Sequence, residues 1–418
     1  MSHDLQNTIL SNIQDAHALE ELYRKDKIAF KKSFNAVYPQ ISSSAAAQCW
    51  NERLNHVSAT SIFLTKQELV FIIVAILIAG CIAKLPHWMD WNPDHFFPRN
   101  ISFIVFEMLL FFFAWKEKLE LKKIAAPIGI FIISAIFINT LPIDEKSDTL
   151  LLSCIHLPIF LWSVVGFVFA GNEFHSPAKR IGFLRLNGDL IVMSAVMLLA
   201  SALFTVVTMG LFNLIGMNIQ EFFANYIVIW GLPAIPIVAT VLVKQHPHLV
   251  GNVSPIIAKL FTPLVTATLF IFLIAVISSG KDPYNDREFL FILNAMLIGV
   301  MAIIFFSFSE FSIAPINRWQ LIMLFSLLVL AVVNNSIALS AIIYRLSLFG
   351  LSPNRLAVIG SNLLILVHLI FVGVDILKVI QKKSSVEKIE NSIAKMLPVY
   401  SAWAAVVAFL FPIIFKMK

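Results

Sequence analysis

Charge is what this sequence has least of. Only 13% of its 418 residues are Asp, Glu, Lys or Arg and 59% are hydrophobic, whereas soluble domains carry about 25% charge and about 45–50% apolar residues. A water-soluble chain of this length would have too few charges to clothe its surface, so a soluble globular fold is excluded. Cysteine is scarce too. Cys49, Cys81 and Cys154 show no paired spacing and no Cys-x-x-Cys, which excludes a disulfide framework and a thiol-redox centre. There is no phosphate-cradling glycine loop, zinc-protease helix signature or nucleophile elbow. No haem, flavin or nucleotide signature occurs, so no cofactor, metal or catalytic residue is assigned. The net charge of +6 forms no basic patch of nucleic-acid-binding form, and no nucleic-acid partner is expected.

Long apolar runs are present instead, and mean hydropathy is +0.84. Stretches of roughly twenty apolar residues recur, the length that crosses about 30 Å of hydrocarbon at about 1.5 Å per residue. Membrane β-strands would alternate over about ten residues, and that pattern is missing. The sequence therefore reads as an all-α polytopic membrane protein with about eleven transmembrane helices, ten to twelve being compatible with the windows. They fall near 67–84, 100–115, 124–142, 149–171, 188–216, 223–243, 254–279, 289–308, 320–344, 356–380 and 396–416. The lipid bilayer is thus the first expected partner.

Lys and Arg favour one set of intervening segments by roughly two to one, which places the N-terminus inside and the C-terminus outside. Residues 1–66 form a short cytoplasmic helical segment ahead of a bundle at 67–418, and their polar start is not that of a signal peptide. Leu5, Ile9, Ile13, Leu19, Leu22 and Tyr23 have amphipathic spacing, a basic-aromatic stretch from Arg24 follows, and Pro39 is expected to end it. Ser42 to Ser44 offer a cap to a further helix bearing Trp50, Leu54 and Val57. The segment is either a helical hairpin packed on its own bundle or a surface that meets anionic lipid or a cytoplasmic protein partner.

An ionisable group in hydrocarbon costs several kcal/mol, about 3 on insertion scales, so each marks a candidate site. The candidates are Glu107, His156, Lys259, His368, Asp375, Asn334 and Asn335, with Asp189 at the start of the fifth span. Ser361, His368 and Asp375 repeat every seven residues on one helix face, about 10 Å apart, too far for direct proton relay. They form either a polar lane or a polar glue between helices. Prolines 158, 233, 236 and 263 interrupt spans four, six and seven, as in transporters whose sites sit at broken helices, although kinks without sites are common.

The segment 86–99 mixes His87, Asp90, Asp94 and His95 with Trp88 and Trp91; it suits an interfacial loop better than a metal site. Near the tenth span, Gly350 suits a helix end, Ser352 a cap and Pro353 a first turn, with Arg345 and Arg355 on either side. Those arginines either snorkel or bind a lipid phosphate or anionic solute.

The run Tyr344-Arg-Leu-Ser-Leu-Phe-Gly-Leu-Ser-Pro-Asn-Arg355 resembles an element of the bacterial membrane family called domain of unknown function 4153, in its Bacteroidetes-type branch. Phe97-Pro-Arg-Asn100, Phe103-Ile-Val-Phe106, His156-Leu-Pro-Ile-Phe-Leu-Trp162, Asn187-Gly-Asp189 and Gly280-Lys-Asp-Pro-Tyr-Asn-Asp-Arg-Glu288 resemble it in the same order. The resemblance implies a bacterial cytoplasmic membrane protein and carries no biochemistry across. The preferred function is a permease for a small solute or lipid; the alternatives are an accessory or sensory protein docking a partner through residues 1–66, and a membrane enzyme acting on lipid-linked substrates.

Overall fold

The computed structural model describes residues 2–55, 64–144, 146–214, 217–245, 253–279, 284, 287–311 and 317–416. Every regular element among them is helical, and the chain divides into two compact units, Met1–Thr65 and Lys66–Lys418.

The first unit holds α1 (Ser2–Ser11), α2 (Ala16–Lys25), α3 (Lys27–Ile41) and α4 (Ala45–Asn55). Asp15 caps α2 by accepting from the His17 and Ala18 N–H groups, and Asp26 accepts from the Ala29 N–H in the same way for α3. The apolar stripes converge on one core of Ile9, Leu19, Phe30, Phe34, Val37, Trp50 and Leu54. No large hydrophobic side chain of the described residues here is exposed. The amphipathic faces thus cover one another, which leaves no apolar face for lipid among the described residues. Pro39 does not end α3. It sits in the last turn, and the helix continues two residues past it to Ile41, at the loss of one helical bond.

The second unit holds α5 (Lys66–Trp88), α6 (Pro93–Lys116), α7 (Leu121–Thr140), α8 (Asp148–Ala170), α9 (Pro177–Leu214), α10 (Gln220–Phe222) and α11 (Ile229–Gln245). After these come α12 (Val253–Ser279), α13 (Arg287–Phe311), α14 (Arg318–Phe349), α15 (Pro353–Ile380), α16 (Val386–Ala405) and α17 (Phe411–Ile414). Wider π-turns at Phe223–Val228 and Val406–Leu410 join α10 to α11 and α16 to α17. Among the described residues ten helical runs are long and apolar enough to cross a membrane, with a shorter apolar run, Leu260–Val276, inside α12. The chain is a multi-pass helical membrane protein.

Caps explain several boundaries. Asn92 accepts from the Asp94 N–H ahead of Pro93, Ser147 accepts from Leu150 N–H, and Asn317 with Gln320 forms a capping box. Gly350, at φ +72, ends α14 in a conformation only glycine adopts freely, and Ser352 and Pro353 start α15. The 86–99 loop shrinks to residues 89–92, because α5 runs through Pro86 to Trp88 and Asn92 starts α6 early. Prolines 158, 233, 236 and 263 lie inside continuous helices, so they do not supply the expected breaks.

Helix α5 packs on α6 and α11, α6 on α8, and α14 on both α12 and α15; α16 touches α8, α9, α13 and α15. One extensive core joins α9, α12, α13, α14, α15 and α16, through residues such as Leu269, Leu297, Phe308, Leu327, Leu369 and Ile393. Only the first part of α9, to about Leu190, is covered by neighbours; beyond it Leu199, Leu203, Phe204 and Val206 are exposed.

Candidate functional site

The seven-residue stripe on α15 faces α16, which runs the other way. Trp403 Nε1–H donates to Ser361 Oγ at 3.0 Å, Tyr400 Oη lies 3.0 Å from His368 Nδ1, and Ser392 Oγ donates to Asp375 Oδ2 at 2.5 Å. Lys378 Nζ adds a contact of 3.7 Å to Asp375 Oδ1. On the other flank of α15, Asn335 Nδ2 of α14 donates to the Asn362 carbonyl at 3.0 Å, and Asn362 Nδ2 donates to Asn294 Oδ1 of α13 at 2.8 Å. From Ser361 to Lys378 this seam spans about 25 Å at the α-helical rise, most of a hydrocarbon thickness.

Most of the seam is inter-helix bonding of the kind that holds membrane bundles together. Two atoms depart from that. His368 and Asn335 are both fully buried, and His368 Nε2 and Asn335 Oδ1 have no hydrogen-bond partner among the described residues. Asn334 is satisfied differently: its Nδ2 returns to the Leu330 carbonyl of its own helix at 2.8 Å.

The structure brings His368, Asp375, Asn334 and Asn335 into this α13–α16 group and leaves the other candidates elsewhere. Glu107 is half-buried on α6, and His156 on α8 turns its Nδ1 to its own Leu152 carbonyl at 2.9 Å. The Lys259 side chain lies outside the described residues, as do His246 and His248. Arg355 Nη1 is bonded to the Phe349 and Gly350 carbonyls at 3.0 and 2.6 Å, so that guanidinium caps α14. Arg345, eight residues before the start of α15, keeps a buried Nη1 with no hydrogen-bond partner among the described residues. Among the described residues no group of three His, Cys, Asp or Glu is placed to hold a metal, and His87, Asp90 and Asp94 are exposed. A groove of about 560 Å³ between α12 and α14 is lined mostly by apolar groups such as Pro263, Phe270, Met323 and Val329, and contains none of the candidates.

Further polar anchors lie outside the set of candidate intramembrane residues. Lys84 is almost fully buried, donates to the Asn225 carbonyl in the first π-turn at 2.7 Å and lies 4.6 Å from the Tyr226 ring centroid. Arg99, in the supposed loop, donates to the Ile138, Leu141 and Pro142 carbonyls and so caps α7, while Asn100 and Asn139 exchange amide bonds at 2.9 and 2.8 Å. Glu68 of α5 pairs with Lys116 of α6. A helix boundary extended past Pro86 would have drawn attention to Lys84, because it then falls inside a span. Arg99 could have been found only by knowing where α7 ends.

No family model, curated protein or solved structure matches the chain.

Proposed function

We propose that this chain is a permease for a small solute or lipid in a bacterial cytoplasmic membrane, with the α13–α16 seam as the part that handles the solute or its coupling ion. The observation that carries this is the pair of unmet atoms, His368 Nε2 and Asn335 Oδ1, buried among apolar helices. An unmatched buried polar atom costs about 1–3 kcal/mol, so a bundle selected only for packing would hold aliphatic side chains there. The apolar groove between α12 and α14 suits an acyl chain and supports lipid as a cargo. Membership of the family called domain of unknown function 4153 is supported by the ordered segments from Phe97 to Arg355. An orientation with the N-terminus inside and the C-terminus outside is supported by the Lys and Arg bias, with α12 as an eleventh span.

The other two readings have less behind them. An enzyme acting at the outer face would draw on His87, Asp90, Asp94, His95, Arg99, Arg345 and Arg355, and of these Arg99 and Arg355 are bonded to helix-end carbonyls. A docking role for residues 1–66 draws no support from their surface, which exposes no large apolar side chain among the described residues.

The test is flux into proteoliposomes of the purified chain, offered amines, amino acids, carboxylates, sugars and a fluorescent phospholipid in turn. One class should enter or flip faster than in protein-free vesicles, and Asn335→Leu should slow it while elution on gel filtration stays unchanged. Folded protein that moves none of these classes would overturn the reading.

A further inference from the structure

We infer that His368 Nε2 is a proton-binding atom, and that the imidazolium formed there is held by Tyr400 and Phe305. The argument starts from the tyrosine. Tyr400 Oη lies 3.0 Å from His368 Nδ1, 3.4 Å from the Leu364 carbonyl and 3.6 Å from Met301 Sδ. A phenol has one proton to give and lone pairs to receive with. When its proton goes to the Leu364 carbonyl, the phenol oxygen accepts from Nδ1–H. The ring is then the Nδ1–H tautomer, and Nε2 is a buried lone pair with no partner among the described residues.

A proton arriving at Nε2 completes the imidazolium without rearranging anything else. The chain Nδ1–H to Oη–H to carbonyl already holds one ring N–H in the direction the cation needs. The Phe305 ring, with its centroid 4.7 Å from that of His368, is within the range at which an aromatic face attracts a cation. Hydronium supplies the proton, its O–H bond breaking as the N–H bond forms, and leaves as water; the reverse step returns the proton.

Among the described residues, the elements packed around His368 set no carboxylate against it. Helix α13 presents Met301 and Phe305, and α16 presents Tyr400. Asp375 and Lys378 are seven and ten residues along α15, and Asp375 is bonded to Ser392. Glu387, Lys388, Glu390 and Lys395 lie further along α16, and Arg318, Tyr344 and Arg345 lie towards the ends of α14. On α8, Asp148 is at the first turn and His156 is turned to Leu152. The Arg287, Glu288 and Glu310 side chains of α13 lie outside the described residues. The described groups that meet the proton at His368 are therefore neutral. The site stores the proton and does not relay it, because Asp375 is about 10 Å away along the helix.

This rests on the permease reading only for its use, as the coupling ion of transport; proton binding itself is measured without any solute. The experiment is nitrogen-15 NMR of the full chain, labelled at its ten histidines and held in lipid bilayers, between about pH 8 and about pH 4. His368→Gln identifies the signal by its disappearance, and Tyr400→Phe tests the cradle. At the alkaline end His368 should show a protonated Nδ1 and a bare Nε2, and on acidification both nitrogens should become protonated. In Tyr400→Phe the doubly protonated fraction at a given acidic pH should fall by about threefold or more. A His368 ring that stays neutral throughout, or that carries its proton on Nε2 at alkaline pH, overturns the inference. If His368→Gln does not fold, assignment by contact with labelled Phe305 replaces it and the same outcomes decide. Protonation without flux of any solute class would sink the permease reading alone, and flux with a neutral His368 would sink this one alone.

Discussion

Gly360 sits on α15 against Trp403 of α16, and replacing it with alanine puts a methyl group into an occupied place. An added Cβ would lie 2.0, 2.3 and 2.6 Å from Cζ2, Cη2 and Cε2 of Trp403. Ordinary carbon contacts begin near 3.5 Å, so the indole must retreat by about 1.5 Å. It has little freedom to do so, because its Nε1–H is bonded to Ser361 and its ring meets Phe411 edge-on at 6.1 Å. Overpacking of this kind costs about 1–3 kcal/mol, and losing the indole hydrogen bond costs about 1. Replacing a helical glycine by alanine returns about 1 kcal/mol of propensity. Gly360→Ala should therefore destabilise the bundle by about 1–3 kcal/mol, read from unfolding in mixed detergent micelles of rising denaturing-detergent fraction. Gly299, with nothing within 4 Å of its added Cβ, is the control, and Gly299→Ala should be neutral or slightly stabilising. Trp403→Phe removes the ring edge that clashes, so in that background Gly360→Ala should cost less than it does alone. Equal behaviour of the two glycines, or a full cost retained in Trp403→Phe, would refute the packing argument.

Lys84→Met strips the donor from the Asn225 carbonyl and should lower stability by about 1–3 kcal/mol in the same assay, despite removing a buried charge. Arg99→Met uncaps three carbonyls at the end of α7 from a buried position and should cost about 2–4 kcal/mol, whereas Arg355→Met, at a more open cap, should cost under about 1; equal losses would contradict the assignment. In the first unit, bonding to Arg24, and secondarily to Arg53, lowers the Glu20 carboxylate below its ordinary value of 4.5. A depressed folded value stabilises the unit above the ordinary one and loses that contribution as pH falls through the folded one. Glu20→Gln should thus weaken hydrogen-exchange protection of α2 and α4 at neutral pH, the difference from wild type shrinking below about pH 4.

Much of the architecture is legible because each span is a long apolar run, and hydrocarbon thickness fixes how long it must be. The ends of spans are harder to read. Pro86 and Pro93 look like loop residues, yet one lies in the last turn of α5 and the other starts α6, where a proline costs nothing. The stripe of Ser361, His368 and Asp375 is readable as a face, since heptad spacing returns to the same side of a helix. Its partners are not. Trp403, Tyr400 and Ser392 lie far enough along the chain that only the α15–α16 turn brings them into register. The arginines are the clearest limit: Arg99, Arg185 and Arg355 each reach carbonyls near the end of a helix, and a carbonyl has no signature in sequence.

The prolines of α16 and α17 show how such carbonyls arise. Pro398 has no N–H to offer Ala394, and Pro412 none to offer Ala408. In hydrocarbon a freed carbonyl has no water to turn to and must find a donor within the protein. Arg180 of α9 supplies one at 3.2 Å to Ala394, and Ser153 of α8 supplies one at 2.8 Å to Ala408. Each proline has thus become a docking point for a neighbouring helix, and the helix continues through it, as a π-turn in the second case. Binding sites built from half-helix ends need backbone that is freed and left open. At Ala394, Ala408 and Asn225 the exposed backbone is already taken. A solute or ion at those turns then has to be met by side chains, and the described side-chain atoms with bonding capacity to spare include His368 Nε2 and Asn335 Oδ1, both on the α13–α16 seam.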